Sequence, residues 1–279
     1  MMRRVRLWVV GAGLLGCAAT MRCQVSAADA KGVLELKLKG HSLMLRGFPG
    51  KTNIPYHWSK GQLVPETQGV FAMGVLKVKT IKTHMSSGVL DNVVVEGTRK
   101  IVVLEGGVPG LFGVLQEVAL KIDMRDAPPT AIEDLEKKLA FDTTEEMLKA
   151  VPTEVADIAP SQPGGQHRPG EHSTKIEQNG TWSEISSEPG SYQAGRVLFA
   201  PDPEFSDAAR RQRISFSFVM AMVVDSGGHV TETWLLRPAG FGLDEKLLEA
   251  GSSYRFSPFT YRGTAVGAVA RFEIKSETY

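Results

Sequence analysis

The stretch that decides the fold of this 279-residue chain is Ile214-Ser215-Phe216-Ser217-Phe218-Val219-Met220-Ala221-Met222-Val223-Val224-Asp225, which leads into Ser226-Gly227-Gly228. In an extended strand successive side chains point to opposite faces, so every second residue shares a face. One face therefore carries a run of large apolar side chains, while Ser215 and Ser217 point away; that run is Phe216, Phe218, Met220, Met222 and Val224. The two glycines tolerate the positive φ of a tight turn. This stretch predicts the first half of a β-hairpin with one buried face.

The residues around the hairpin predict a complete small unit. Val230–Arg237 forms the returning strand, which Pro238 ends, and Asp244 is placed to cap a helix. The turn at 261–264 leads into a last strand, Ala268–Ile274, and Ser206 is placed to cap a short helix upstream. We predict an α+β fold: a C-terminal three-stranded antiparallel sheet with two short helices, preceded by a β-rich N-terminal module with a helix pair.

Five stretches of this unit resemble, in order, the C-terminal domain of the TonB family of periplasmic energy transducers. Three residues depart from the family's usual pattern, namely Ser206 and Ser215, where proline and glycine are common, and Tyr254, where tryptophan is common. The matching stretches are Pro203–Arg210, Val223–Val230, Gly242–Ala250, Tyr254–Pro258, and Gly263 with Val266. The resemblance covers about the last 75 residues and implies a protein that works through a binding surface.

The resemblance also implies where a partner binds. In this family the last strand is a sheet edge that accepts an extended segment of an outer-membrane transporter, by hydrogen bonding between backbones. The corresponding residues here are Ala268, Val269, Ala270, Arg271, Phe272, Glu273 and Ile274. Arg271 and Glu273 are expected to face outward and tune the choice of partner. The expected partner is a TonB-dependent outer-membrane transporter or another envelope protein.

The N-terminal residues 1–27 predict a signal peptide or a short membrane or lipid anchor. A basic start precedes an uncharged run of about 15 residues, which is shorter than the roughly 20 that span a bilayer as a helix. Cleavage is expected after Cys23, Ala27 or Ala30, and Cys17 is a candidate lipidation site within Leu14-Leu15-Gly16-Cys17. A cleaved or lipidated leader predicts a periplasmic binding protein. An uncleaved leader predicts an energy transducer coupled to an ExbB–ExbD-like motor.

Three further regions lie between the leader and the end of the chain. Residues 31–151 predict a β-rich module whose strands begin at Val33–Leu38, with a hairpin turn at Glu96–Arg99. Thr130–Glu133 and Thr143–Glu146 are capping boxes, which predict two helices. Residues 152–195, rich in proline and glycine, predict a linker, and 196–279 form the TonB-like domain.

We find no sequence motif of an active site. The hydrolase, zinc-protease and phosphate-loop patterns are all missing, and both cysteines, Cys17 and Cys23, lie in the leader. The net charge of +1 gives no signal for binding polyanions. We therefore predict a protein that is not an enzyme and that uses no cofactor, metal or nucleic acid. An enzyme or small-ligand binder acting through the N-terminal module is the second alternative.

Overall fold

The computed structural model describes residues 27–67, 69–104, 110–158, 172–185, 190–204, 216–240 and 242–276. Strands make up 51% and helices 19% of the structure, and the strands form large sheets of seven and eight strands. The predicted α+β fold with a small three-stranded sheet is therefore wrong. Strands from elsewhere in the chain pair with both margins of the predicted sheet, because exposed strand edges offer unpaired backbone groups.

The helices of the described residues are α1 (Ala27–Leu38), α2 (Ala131–Leu139), α3 (Thr144–Lys149), α4 (Thr153–Ala156) and α5 (Asp244–Ser252). The strands of the first half are β1 (Ser42–Leu45), β2 (Asn53–Ser59), β3 (Gln62–Pro65), β4 (Val70–Phe71), β5 (Gly74–Ser86), β6 (Val89–Val103), β7 (Gly110–Asp123) and β8 (Ala140–Phe141). Those of the second half are β9 (His172–Gln178), β10 (Thr181–Glu184), β11 (Tyr192–Gln193), β12 (Val197–Phe199), β13 (Phe216–Val224), β14 (Val230–Arg237), β15 (Arg255–Phe256), β16 (Phe259–Tyr261) and β17 (Thr264–Ser276).

The first sheet has the strand order β3-β2-β7-β6-β5-β1-β8, and only the β2–β7 pair in it is parallel. Its inner face packs on α1 and α2 in one apolar core that includes Leu34, Leu76, Leu120 and Leu135. Part of its outer face is wet, with Lys79 paired to Glu117 at 2.7 Å and Lys82 paired to Glu96 at 2.6 Å. This sheet has the one-sided alternation that the sequence predicts.

The predicted strand at Val33–Leu38 is wrong, because these residues belong to helix α1. Ala30, Leu34 and Leu38 are completely buried and lie four residues apart, which places them on one helical face. Leu36, which a strand would bury beside Leu34 and Leu38, is 83% exposed. The spacing of the apolar residues fits both the period of a strand and the period of a helix. Packing against the sheet stabilises the helix.

The predicted hairpin turn at Glu96–Arg99 is also wrong, because β6 runs through these residues without a break and the turn lies at Ser87-Gly88. Gly97 sits inside the strand for a steric reason. A Cβ atom at this position would lie 2.2 Å from the backbone oxygen of Lys77. The glycine therefore permits a close approach of β5 rather than a turn.

The two predicted helices are confirmed as α2 and α3, with different caps. The Thr143 hydroxyl accepts a hydrogen bond from the Glu146 N–H at 3.1 Å, and the Glu146 carboxylate accepts one from the Asp142 N–H at 3.2 Å. Thr130 forms no such side-chain bond. The capping box therefore operates only at α3.

The second sheet has the order β10-β9-β17-β13-β14-β4, with β16 joined to β17 and β11 to β16. The three predicted strands of the C-terminal unit lie at its centre as β17, β13 and β14. Strand β4, from the first half of the chain, pairs in parallel with β14. Gly69 precedes β4 with a φ of +68°, and a Cβ there would lie 2.4 Å from the Thr231 oxygen, so glycine is needed for this junction.

Both faces of the second sheet are buried. One face, with Phe218, Met220 and Leu235, packs on Leu247 and Leu248 of helix α5. The opposite face is covered by side chains of the first half of the chain; this second cluster includes Val219, Ala221, Trp234 and Val269 against Phe48, Met73, Val102, Phe141 and Met147. The C-terminal unit is therefore packed against the N-terminal module.

No helix among the described residues has the length and apolar character needed to cross a membrane. The leader and the helix predicted after Ser206 lie outside the described residues.

Candidate functional site

The candidate site is the last strand, β17, which lies between β13 and β9 in the second sheet. Its antiparallel pairing with β13 is continuous from Ala268, opposite Val224, to Ser276, opposite Phe216. The seven residues predicted to bind a partner, Ala268–Ile274, all belong to this strand. Strand β13 therefore occupies one edge of β17 along these residues. Only the opposite edge, toward β9, is relevant to binding.

Strand β9 occupies part of that second margin. Gly267 pairs with Glu177, Ala268 with Ile176, and Ala270 with His172, with a bulge before the last pair. The prediction that the whole of Ala268–Ile274 is an open edge is therefore wrong for Ala268–Ala270. The side chain of Ile176 is buried in the same core as Phe218 and Leu247, which fastens β9 to the sheet.

The covering strand belongs to a β-hairpin that the sequence analysis assigned to a linker. Strands β9 and β10 pair through Thr181 opposite Gln178, and the turn consists of Asn179 and Gly180 with φ angles of +52° and +79°. Asn-Gly between two strand-like stretches is a strong short-range signal for such a turn. The composition of residues 152–195 favours a linker, but Asn179-Gly180 forms the turn of a hairpin within it. Helix α4 also lies in this region.

Beyond Ala270, β17 continues for six residues, Arg271–Ser276. Within the described part of the chain, β13 is the only strand that pairs with these six residues. Phe272 and Ile274 are partly buried and pack against the core under α5. The section from Arg271 to Ile274 is thus the part of the predicted edge that lies beyond the described pairing with β9.

Arg271 does not face outward as expected. Its side chain is buried, with 8% of the residue exposed, and its Nη1 lies 3.5 Å from Oε2 of Glu273. Glu273 also lies 3.9 Å from Arg237, whose Nη1 donates a 2.7 Å hydrogen bond to the Ser217 hydroxyl. The N-terminal module covers the neighbouring face, so these charged groups contact one another instead of projecting into solvent.

A second polar cluster, between the two halves of the chain, was not anticipated. Arg99 of β6 is only 1% exposed; one of its nitrogens donates to the backbone oxygen of Pro49 and another to Oε1 of Gln116 at 2.9 Å. The Gln116 amide in turn donates to Oδ2 of Asp244 at 3.4 Å. Oδ1 of Asp244 accepts hydrogen bonds from the N–H groups of Ala239 and Gly240. This Arg99–Gln116–Asp244 cluster links the first sheet to helix α5.

Burial dominates the electrostatics of the cluster. It lowers the pKa of Arg99 to about 10, while the nearby charges of Glu245 and Asp244 act in the opposite direction. It also raises the pKa of Asp244, against the effect of its two backbone hydrogen bonds and of Arg99. Gly74 makes room for the arginine, since a Cβ there would lie 2.6 Å from Arg99 Cδ. The cluster is enclosed, so its role is to join the two halves rather than to bind a ligand.

The second alternative, a ligand site in the N-terminal module, can be examined at a groove between described residues. An open groove of about 650 Å³ lies between β3 and α2, where Arg46, Lys137 and Lys138 contribute positive charge. Arg46 donates to the backbone oxygen of Ala140 at 2.7 Å and pairs with Glu146 at 3.0 Å, and Lys138 donates to Gln62 at 3.0 Å. Arg46 and Lys138 are therefore engaged in contacts within the module.

One predicted site lies outside the described part of the chain. Cys17, the candidate lipidation site, lies outside the described residues. Within the described ranges, no three His, Cys, Asp or Glu side chains come together as a metal site would require.

No protein-family model matches the chain, and no curated protein matches it either. The resemblance to the TonB C-terminal domain therefore stays a prediction.

Proposed function

We propose that this protein binds an extended segment of an envelope partner by β-strand addition to the last four residues of the predicted edge, Arg271–Ile274. The observation that carries the proposal is the difference in length between the two neighbours of β17. Pairing with β13 extends to Ser276, whereas pairing with β9 ends at Ala270.

The length of this margin sets the strength of the contact. The four residues span about 14 Å, and every second residue turns its backbone groups to one side, so about two residues can pair with a visitor. Each hydrogen bond contributes about 1 kcal/mol net. The expected complex is therefore weak and reversible, as is typical of a transient contact between envelope proteins.

The side chains around this margin suggest the composition of the visitor. Phe272 and Ile274 offer partly buried apolar surface on the α5 side of the sheet. Glu273 and Arg237 form the polar opposite side. Because successive side chains of a strand face opposite ways, the visitor should alternate apolar and polar residues.

The resemblance to the TonB family supplies the biological setting of the proposal. It suggests an exported protein in the periplasm that contacts an outer-membrane transporter. Mass spectrometry of the mature N-terminus tests this setting separately from the binding site. A start at Gln24 or Ala28, or a lipidated Cys17, supports the binding protein, whereas an intact Met1 in the inner membrane supports the force-transmitting alternative.

The binding site is tested with heptapeptides selected from a random display library on the full chain. Phe272→Pro and Glu273→Pro form a matched pair, because consecutive residues direct their N–H groups to opposite margins. The variant that retains the unfolding temperature of the wild type has its N–H on the open margin. That variant should bind the selected peptides about five- to tenfold more weakly, since one hydrogen bond is lost.

The control is Glu184→Pro in β10, another outer strand of the same sheet. Thr181 and Gln178 flank the two-residue turn as a hydrogen-bonded pair, so the alternation of the strand turns the N–H of Glu184 to the outer edge. Peptide affinity should be unchanged in this variant. If affinity falls in Glu184→Pro and survives in the folded β17 variant, the peptide joins β10 and the proposed site is wrong.

A further inference from the structure

The groove between β3 and α2 is the gap in a sheet that curls almost onto itself. Strands β3 and β8 lie at opposite ends of the strand order of the first sheet, with β1 next to β8. Even so, a Cβ atom at Gly47, two residues after β1, would lie 2.7 Å from Cγ of Pro65 in β3. The Arg46 N–H donates to the Leu139 oxygen of α2 at 2.8 Å. The groove therefore lies between one edge of the sheet and the helix that adjoins the other.

Strand β3 turns the backbone of one residue, Leu63, toward the groove. The Glu66 N–H donates to the Pro55 oxygen at 2.9 Å, which fixes the alternation of the pairing between β2 and β3. Val64 and Gln62 therefore direct their N–H and C=O groups to β2, and Leu63 directs its own to the other edge. No strand of the described residues pairs with that edge. The side chain of Leu63 belongs to the first core, so the polar groups that it presents to the groove are those of its backbone.

Pro65 limits how many hydrogen bonds this edge can form. It has no N–H, and its oxygen already accepts a hydrogen bond from the Thr67 N–H at 3.0 Å. Leu63 is therefore the residue of β3 that can pair with a visiting segment. One residue offers two hydrogen bonds, each of which stabilises a complex only modestly. Backbone pairing thus orients a visitor but leaves most of the affinity and the selectivity to side chains.

The charges at the groove are mostly positive. Four charged side chains of the described residues line it, and Asp134 is the one acid among them, beside Arg46, Lys137 and Lys138. Arg46 and Lys138 are engaged in the contacts described above. Lys137 is exposed, and no carboxylate of the described residues forms an ion pair with it. A carboxylate on a visitor therefore finds an available cation at Lys137.

We propose that this groove binds a short extended segment of a partner protein that carries an aspartate or glutamate side chain. The backbone of the segment exchanges two hydrogen bonds with Leu63, and its carboxylate contacts Lys137. Val64, which lines the groove and is 37% exposed, offers apolar surface to a neighbouring side chain of the segment. A volume of about 650 Å³ is within the range of sites that hold small ligands, so only a few residues of the segment are enclosed. The site lies on the first sheet and does not depend on the peptide site proposed at β17.

Fluorescence anisotropy with the full chain tests the selectivity. The probe is a labelled hexapeptide of alternating valine and glutamate, blocked at both ends, and its matched control alternates valine and lysine. The glutamate peptide should bind, and Lys137→Glu should weaken its binding about tenfold, because a charge-assisted contact becomes a repulsion. Lys121→Glu makes the same change of charge at an exposed lysine of β7 that does not line the groove, and it should leave the affinity unchanged. Equal affinity for the lysine peptide, equal losses in the two variants, or no binding at millimolar concentrations overturns the proposal.

Nuclear magnetic resonance of the full chain locates the bound peptide. At saturation with the glutamate peptide, the amide proton of Leu63 should move downfield, because it gains a hydrogen bond. The amide protons of Gln62 and Val64, which are bonded to β2, should move much less. Succinate at the same concentration supplies carboxylates without a peptide backbone and should leave Leu63 unmoved. An unmoved Leu63 with the peptide, the same shift with succinate, or shifts confined to Arg271–Ile274 overturns the proposal, and the last result would place the peptide at β17 instead.

Discussion

The two large sheets of this protein bury their faces to different extents. The first packs one face on α1 and α2; its other face is wet where ion pairs such as Lys79–Glu117 lie and is buried against the second sheet at Val102 and Phe141. The second buries both faces, one under α5 and one under the first half of the chain. A strand buried on one side alternates, whereas a strand buried on both sides is apolar throughout. Phe218–Val224 is an unbroken apolar run, so it belongs to the second kind.

The largest expected effect comes from breaking either core. Leu120→Ala in the first core and Phe218→Ala in the second should each lower the free energy of unfolding by about 3–5 kcal/mol, because a cavity is added to the lost burial. Both side chains are completely buried. Urea denaturation followed by circular dichroism, with hydrogen exchange on peptides from both halves, measures the change.

Because the second sheet includes β4 and its second face packs on the first half, both variants should show a single transition in which the two halves unfold together. Two separated transitions, with each substitution affecting only its own half, would show that the sheets fold independently.

The next effect comes from cutting the buried link between the sheets. Arg99→Leu should reduce the free energy of unfolding by about 3 kcal/mol, because Asp244 and Gln116 are left buried with no positive charge beside them. Arg125→Leu is the control, since Arg125 forms an exposed pair with Asp123 in the same half. Its loss should cost less than about 1 kcal/mol. Equal effects in a denaturant titration would contradict a special role for the buried arginine.

The pH dependence of stability should carry the signature of Asp244. Its pKa is raised by burial above the ordinary value of 3.8, so the folded state holds the proton more tightly than the unfolded state. The stabilisation from this group is therefore complete below pH 3.8 and is lost as the pH rises through the folded pKa.

The comparison with Asp244→Asn isolates this term. The free energy of unfolding of the wild type minus that of the variant should decrease as the pH rises above 3.8. Urea titrations at several pH values between acid and neutral measure it. A difference that increases with pH would mean that the pKa of Asp244 is lowered rather than raised.

A smaller effect is expected at the hairpin that covers β17. Gly180→Ala meets no atom within 4 Å but retains a φ of +79°, so the substitution should cost about 1 kcal/mol through backbone strain alone. The loss should be local. Hydrogen exchange should increase in β9 and β10 while the exchange of β13 is unchanged; faster exchange throughout the second sheet would show that the hairpin is part of its cooperative core.

The smallest expected effect sharpens the location of the peptide site. Ile176→Cys with Ala268→Cys joins directly opposed residues of β9 and β17, in a background where Cys17 and Cys23 are serine. The disulfide locks β9 in place but leaves Arg271–Ile274 unchanged, so peptide affinity should be the same before and after reduction. A locked protein that fails to bind until it is reduced would show that the visitor must displace β9.

Several elements could be predicted from local pattern alone. The alternating and glycine-bounded stretches identify β13, β14 and β17, and the threonine caps identify α2 and α3. Local pattern fails where two periods fit the same residues, as in α1, or where a glycine serves close packing instead of a turn, as at Gly97. The hairpin of β9 and β10 was predictable from Asn179-Gly180, but the surrounding composition concealed it.

The candidate site could also be predicted only in part from local pattern. The sequence predicts that residues 268–274 form a strand with an open edge. Local pattern does not predict that another strand covers Ala268–Ala270, and it does not predict that Arg271 is buried. Arg99 could be expected to face inward from its register with Val93 and Val95. Asp244, which Arg99 reaches through Gln116, lies 145 residues away, and only the packed structure brings the two together.

By itself, the sequence determined β13, β14 and β17 and the helices α2 and α3, because backbone geometry and side-chain period act over a few residues. The tertiary structure alone decided which margins are occupied, which faces are buried and which charges meet. Those outcomes depend on distant segments competing for the same backbone groups and the same apolar surface, and a local pattern carries no record of that competition.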